Sequence, residues 1–333
     1  MRTRSIVNSV REIVTGGPWV HRDFDAKTPP DGVVFGLSGS WYYDLRQSLV
    51  RDDYSPFDDS GIPVRGTGRE SGQRPVLALS YGLAHLAGWL LDQDAHSEGE
   101  ALRIGRWLCR EVLDSPVDGA IVVRVPIRGL LAPWPNALAQ GLALSLLTRL
   151  HEVAPAAGWQ QATEAAVRPF DRSVGQGGLR DVTNSCTWFE EYPFPTGGSH
   201  VLNGFVYALW GLRDASLAGF EVAGRLYEEG LDSLVRLLPR YSGAGWSFYD
   251  YPDWGQPRVA SFYNQRTHAG LFRAFAKVAP QHDELFSGFA AECDLQADRL
   301  VLRARALLAK RSDRTLRAPT EQKAVKAASD VQP

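Results

Sequence analysis

Arg74-Pro75-Val76-Leu77-Ala78-Leu79-Ser80-Tyr81-Gly82-Leu83-Ala84-His85 is the stretch at which this chain turns helical. Proline suits the first turn of a helix, where its missing N–H has no intrahelical partner to lose. The apolar pattern then runs on through Trp89 and Leu90. A second helix reads over 98–113 and stops at Asp114-Ser115-Pro116. Further helical patterns cover 135–150, 160–170, 200–213, 220–238 with Pro239 as its stop, 267–278 and 282–308. This makes about eight helices joined in pairs.

Working outward, residues 1–73 read as an irregular segment. Gly16-Gly17-Pro18, Pro29-Pro30-Asp31-Gly32 and Ser60-Gly61-Ile62-Pro63 are turn signals, with Val33-Val34-Phe35 and Trp41-Tyr42-Tyr43 as short strands between them. From residue 310 the chain loses its large apolar residues and reads as a disordered tail over 310–333. The helical unit spans 74–309. The loops after every second helix carry its irregular features: a β-branched strand at 120–125 behind Asp118-Gly119, the stretch 188–193, and 241–251. Helical hairpins whose loops gather at one end describe a mainly α fold, an α/α toroid or incomplete α/α barrel of about four hairpins. An ordinary helical bundle shares the same periodicity. A toroid mouth is a groove suited to a chain-like ligand.

Composition narrows the class. The chain has 333 residues, 44% of them apolar, and a net charge of -2 from 36 basic and 38 acidic residues. That balance lacks the basic excess of a nucleic-acid binder. Cys109, Cys186 and Cys293 are far apart and show no C-x-x-C spacing, which speaks against a metal knuckle and fits a reducing compartment. The start, Met1-Arg2-Thr3-Arg4, leads into no apolar run of the secretory kind, and no stretch reads as a membrane span. The expectation is a cytoplasmic protein that needs neither metal nor cofactor.

The stretch Trp188-Phe189-Glu190-Glu191-Tyr192-Pro193 follows a polar, glycine-bearing run over 175–184 and reads as a loop facing a cleft. Aromatics stack on sugar rings, and acidic groups beside them move protons. The plainer reading is a surface turn around a buried Trp.

Four further segments stand in order with it. They are Ala132-Pro133-Trp134-Pro135-Asn136-Ala137-Leu138-Ala139-Gln140-Gly141, then Val201-Leu202-Asn203-Gly204-Phe205, then Ala223-Gly224-Arg225-Leu226-Tyr227-Glu228-Glu229-Gly230, then Gly245-Trp246-Ser247-Phe248-Tyr249-Asp250. Together the five resemble the C-terminal helical domain of the D-glucuronyl C5-epimerases, over about residues 75–278. The resemblance implies inversion at C5 of glucuronate in a polysaccharide such as heparosan or heparan sulfate, and a homodimer. It implies that Tyr192 and Tyr249 are catalytic, with Tyr263 as a third tyrosine. This chain departs from the family's W-D-Y-H-T-T-H segment: it reads Phe262-Tyr263-Asn264-Gln265-Arg266-Thr267-His268, with Asn264 in the tyrosine's place when counted back from His268.

Removing the C5 proton of a uronate requires donors or cations on its carboxylate and one acid/base group on each face of the ring. Glu191 is placed to orient a tyrosine or a hydroxyl. Arg266 and His268, or Arg124 and Arg128, are candidates for holding the carboxylate. Glu190 is a candidate for substrate binding, Gln140 and Asn203 for hydroxyl binding or for satisfying loop backbone, and Trp134 and Trp188 for stacking or for the core. His85 reads as a core histidine. A lyase shares the first step and then expels the C4 substituent. A glycoside hydrolase would pair Glu190 or Glu191 with Asp181 or Asp250. A non-catalytic glycan-binding toroid is the alternative of another class.

Overall fold

The computed structural model describes residues 35–65, 72–127, 129–243, 245–253 and 255–310. The turns expected at 16–18 and 29–32, Val33, Val34, Arg128 and the 311–333 tail lie outside the described residues. The helices are α1 (Arg46–Val50), α2 (Pro75–Asp92), α3 (Ala95–Leu113), α4 (Ala137–Val153), α5 (Ala157–Asp171), α6 (Leu202–Leu217), α7 (Glu221–Leu237), α8 (Phe262–Val278) and α9 (Asp283–Asp298). Residues 300–310 are helical as well.

Side-chain chemistry sorts these helices into two layers. In α4 every residue from Ala137 to Leu150 is buried, and α2 and α6 are nearly as apolar all round. A helix with no polar face must be enclosed by others. In α3 burial falls on a stripe led by Ala101, Ile104, Trp107, Leu108 and Val112, the spacing of a helix with one face in water. The inner helices α2, α4, α6 and α8 pack in that order, and α3, α5, α7 and α9 each back onto the helix before them. The result is an α/α toroid of four hairpins. Where α4 crosses α6 the backbones touch, because a Cβ on Gly141 would overlap the Tyr207 carbonyl and one on Gly211 would overlap Gly141.

Residues 35–54 belong to this core. Tyr42 is fully buried and stacks on Trp210 with ring centres 4.4 Å apart. Its hydroxyl donates to Asp214 Oδ1 (2.9 Å). Arg149 pairs with the same carboxylate (3.0 Å) and donates to the Gly36 carbonyl (2.6 Å). The segment's first part, through Tyr42, thus packs at the C-terminal ends of α4 and α6, while Tyr43, Leu45, Ser48, Asp53 and Tyr54 run on to line a cavity with the N-terminal turns of the inner helices. The strand expected at 41–43 is not formed: these aromatics are used as a plug.

Other expectations are also corrected. Only Val122–Val123 (β3) of the strand read at 120–125 is paired, with Trp134–Pro135 (β4). The run before Tyr192 is a hairpin rather than a loop: Arg180–Thr183 (β5) pairs with Cys186–Phe189 (β6). It turns at Asn184 and Ser185, both with positive φ (51° and 60°), the geometry a tight hairpin favours. α8 begins at Phe262 rather than Thr267, because the Ser261 hydroxyl caps it by accepting from the Asn264 N–H (3.0 Å). Tyr263 and Arg266 thus lie on its first turns. The helix read over 282–308 breaks at Arg299, which is extended. The remaining strands are Val64–Arg65 (β1), Gly72–Gln73 (β2), Ser242–Gly243 (β7), Trp246–Asp250 (β8) and Arg258–Val259 (β9), with β8 central in the β7-β8-β9 sheet. No helix among the described residues is long and apolar enough to cross a membrane.

Candidate active site

The β3–β4 pair, the loop 190–201 and the β8–β9 hairpin immediately precede α4, α6 and α8, so all three gather at one end of the ring. Asn136 joins two of them. Its side-chain oxygen caps α4 by accepting from the Ala139 N–H (2.8 Å), and its amide donates to the Glu191 carbonyl (2.9 Å).

Glu191 and Tyr192 project from that anchored loop. The Tyr192 ring lies 5.8 Å from Trp134 and 6.3 Å from Phe194. The Tyr249 side chain, on β8, lies within interaction range of Tyr192, and Tyr192 lies within interaction range of the Glu191 carboxyl. Glu191 is 7% exposed, and its Oε2 has no hydrogen-bond partner. Burial pushes its pKa from 4.5 up to about 7, against the lowering contact from Tyr192 and with further raising from Glu190. Burial, followed by the charge of Glu191, holds the Tyr249 hydroxyl well above 10.

The cation of this cluster is Arg258, which sequence reasoning missed. It sits across the β8–β9 hairpin from Asp250: its N–H donates to Asp250 Oδ1 (3.1 Å) and its Nε to Oδ2 (2.5 Å). The guanidinium lies 5.4 Å from the centre of the Tyr249 ring. Its charge also acts on Glu191 and Tyr192. A hairpin reading of 246–259 would have placed Arg258 against Asp250.

Beside this cluster, a cavity of about 380 Å³ opens between the four inner helices. Asn203 connects the two. It lines the cavity, its buried Oδ1 has no partner, and a Cβ on the next residue, Gly204, would come within 2.5 Å of Glu191 Oε2. Tyr263 and Arg266 line the same cavity rather than the tyrosine pair. Arg266 is engaged by Asp294 (2.7 Å) and Asp298 on α9. Arg74 is also on the cavity wall and takes part in no ion pair among the described residues.

Four expected substrate contacts are corrected. Gln140 is fully buried and satisfied by backbone: its Oε1 accepts from Ile121 N–H (2.7 Å) and its Nε2 donates to the Gly119 and Ala166 carbonyls (2.9 and 2.8 Å). Trp188 is 1% exposed and sandwiched by Phe205 and Tyr241, with ring centres 3.8 and 5.7 Å away. His268 is fully buried, bonded through Nδ1 to Ser247 Oγ (2.9 Å), and burial drives its pKa down to about 3. Glu190, fully buried, accepts from Ser199 Oγ (2.6 Å), Ser199 N–H (3.0 Å) and His200 N–H (3.1 Å), closing the loop on itself. Trp134 is 5% exposed and donates to the Val125 carbonyl (3.1 Å), so only its contact with Tyr192 reaches the site. Of the other candidates, Arg124 is held by Glu111 (2.6 Å) and His85 by Ser97 (2.9 Å).

Asp181, Glu190 and His200 offer one donor atom each within 4.8 Å of one another. These donors already engage one another and the loop backbone, so the group reads as an ion-pair network.

With the geometry in place, comparison with known proteins decides the lineage. Residues 121–292 match the family described as D-glucuronyl C5-epimerase C-terminus. The chain belongs to this family. A D-glucuronyl C5-epimerase of Caenorhabditis elegans is 32% identical over 189 residues, covering 52% of this chain and 30% of the nematode protein. An uncharacterized protein of Methanocaldococcus jannaschii is 33% identical over 130 residues, 38% of this chain and 42% of that one. The matched part is thus less than half the length of either relative. Among solved structures, the unsaturated glucuronyl hydrolase of Bacillus sp. GL1, described as responsible for the degradation of glycosaminoglycan, superposes with a TM-score of 0.47. Its sequence identity is 17%, over 76% of this chain and 64% of that one.

Proposed function

We propose that this protein inverts C5 of D-glucuronate residues in a polysaccharide, giving L-iduronate. The observation that carries the reading is the cluster running from buried Glu191 to the half-buried Tyr192 and Tyr249, with Arg258 over its end. Groups whose surroundings push their acidities apart make natural acid and base partners. Glu191, poised near 7, takes the proton of Tyr192, and Tyr192 oxygen takes the proton from C5. The electron pair left behind passes into the substrate carboxylate. Tyr249, kept neutral by its surroundings, delivers its own proton to C5 from the opposite face. Its phenolate is then stabilised by Arg258.

Because the two tyrosines interact with each other, a ring held between them has to part them. Once product leaves, that same contact returns the proton from Glu191 through Tyr192 to Tyr249, and the cycle closes with no net change. Arg74, on the cavity wall, serves the substrate carboxylate or a neighbouring acidic sugar, and Asn203 Oδ1 accepts from a hydroxyl.

The test is incubation of the protein with unsulfated glucuronate polymers of the heparosan type in deuterated water. Deuterium at C5 is read by mass spectrometry. Wild type incorporates deuterium, and Tyr192→Phe and Tyr249→Phe each lose about 100-fold or more in rate. No incorporation into any uronate polymer overturns the reading. A product with a C4–C5 double bond replaces it with elimination.

A further inference from the structure

The two tyrosines sit on separate segments, and their alignment depends on what joins those segments. Residues 198–201 run antiparallel to 250–253. Val201 bridges Asp250, the Tyr251 N–H donates to the His200 carbonyl (3.3 Å), and the Asp253 N–H donates to the Gly198 carbonyl (3.1 Å). The Gly198 N–H returns a bond to Asp253 Oδ2 (2.9 Å), and the Tyr241 hydroxyl donates to the His200 carbonyl (2.6 Å). The His200 imidazole is inserted across this seam. Its Nδ1 lies 2.8 Å from Glu190 Oε1, and its Nε2 lies 3.1 Å from Asp253 Oδ1 and 3.8 Å from Asp181 Oδ2. Its ring meets the face of Trp188 nearly at right angles, 5.5 Å away.

We propose that His200 is a positioning residue, whose charged ring locks the Tyr192 loop to the Tyr249 strand through Glu190 and Asp253. The inference rests on the catalytic reading above. A neutral imidazole would turn a lone pair toward one of the two carboxylates, whereas the imidazolium carries an N–H on each nitrogen: Nε2 is aligned for a hydrogen bond to Asp253, and Nδ1 makes a close charge contact with Glu190 without hydrogen-bond alignment. The fold holds His200 at φ 49°, an unfavourable conformation for a non-glycine residue that the surrounding contacts must maintain.

The charged and titratable groups around the ring are Asp181 from β5, Cys186 from β6, Glu190 from the loop itself, Arg240 and Tyr241 from the turn after α7, and Tyr251 and Asp253 after β8. Burial alone would lower the His200 pKa. The contact with Glu190 and then the charge of Asp253 reverse this and hold it at about 9. The lock is therefore closed at neutral pH and opens as pH rises through about 9.

The test is a histidine-ring and backbone-amide NMR titration of the full chain between pH 6 and 10.5, with the His200 signal assigned by its loss in His200→Gln. The expected result is a His200 midpoint near 9, with amides of 198–201 and 250–253 shifting together at that midpoint. In Asp253→Asn, which keeps the ring and Glu190, the midpoint falls by about one pH unit, a tenfold change. If His200→Gln does not fold, the signal that moves in Asp253→Asn identifies the residue. In C5 exchange assays, His200→Gln lowers kcat about tenfold with KM within about twofold, and it lacks the wild-type fall near pH 9. A His200 midpoint below 7, or amides of 250–253 that ignore its titration, overturns the proposal whether or not the protein exchanges C5 hydrogen. Absence of exchange in wild type overturns the catalytic reading instead.

Discussion

Replacing Glu191 by Gln should stabilise the protein at neutral and alkaline pH while disabling it. Glu191 is buried beside Glu190, with one carboxyl oxygen unpartnered. In the unfolded chain it ionises near 4.5, and in the fold near 7. Between those values the unfolded state loses its proton and the folded state does not, so folding stability falls as pH rises. The loss starts above about 4.5 and is complete above about 7. At about 1.36 kcal/mol for each tenfold change in acidity, it amounts to about 3 kcal/mol. Gln cannot ionise and escapes this loss. The assay is urea unfolding of wild type and Glu191→Gln at pH 4.5, 6 and 8. The variant should be equal to or slightly weaker than wild type at pH 4.5, and stronger at pH 8 by a margin approaching 3 kcal/mol. His200 also loses stability with rising pH, from about 6.5 to 9, because its folded pKa is raised. It does so in both proteins and cancels in their difference. A difference between the two proteins that stays flat from pH 4.5 to 8 would refute the reasoning.

Arg258→Ala should cut C5 exchange at least tenfold and deprive the buried Asp250 carboxylate of its Arg258 ion pair, with Arg258→Lys recovering part of the loss; exchange rates and melting temperatures of the two variants check this. Asp214→Ala strands the Arg149 guanidinium, 1% exposed, in the core and should cost about 3–5 kcal/mol in denaturant unfolding. Gln140→Leu removes three hydrogen bonds to buried backbone and should cost about 2–4 kcal/mol while leaving the substrate KM of the folded fraction unchanged, which a substrate-binding Gln140 would not do.

How much of this was legible in the sequence follows from the range of each interaction. The helical pairs came out nearly to the residue where the deciding signals are local, as at Pro75 or Pro239, because a helix is written in side chains three and four apart. Phe262 was missed as a helix start because the polar run Tyr263-Asn264-Gln265-Arg266 masks the Ser261 cap. The site is the opposite case. A glutamine or histidine inside a motif reads as a ligand for substrate, yet which way it faces is settled by backbone far away. Gln140 is claimed by residues 119, 121 and 166, and His268 by Ser247. Arg258 went unseen because its partner, Asp250, lies beyond a turn whose prolines look like plain loop. The same logic explains Glu190 and Glu191, neighbours in sequence with opposite roles. Glu190 turns into the loop, where Ser199 and His200 supply donors for its charge. Glu191 turns toward Gly204 and Tyr192, where one oxygen finds no donor and the proton is held more tightly. One carboxylate spends its charge on building the loop, which leaves the other as the proton acceptor of the proposed reaction.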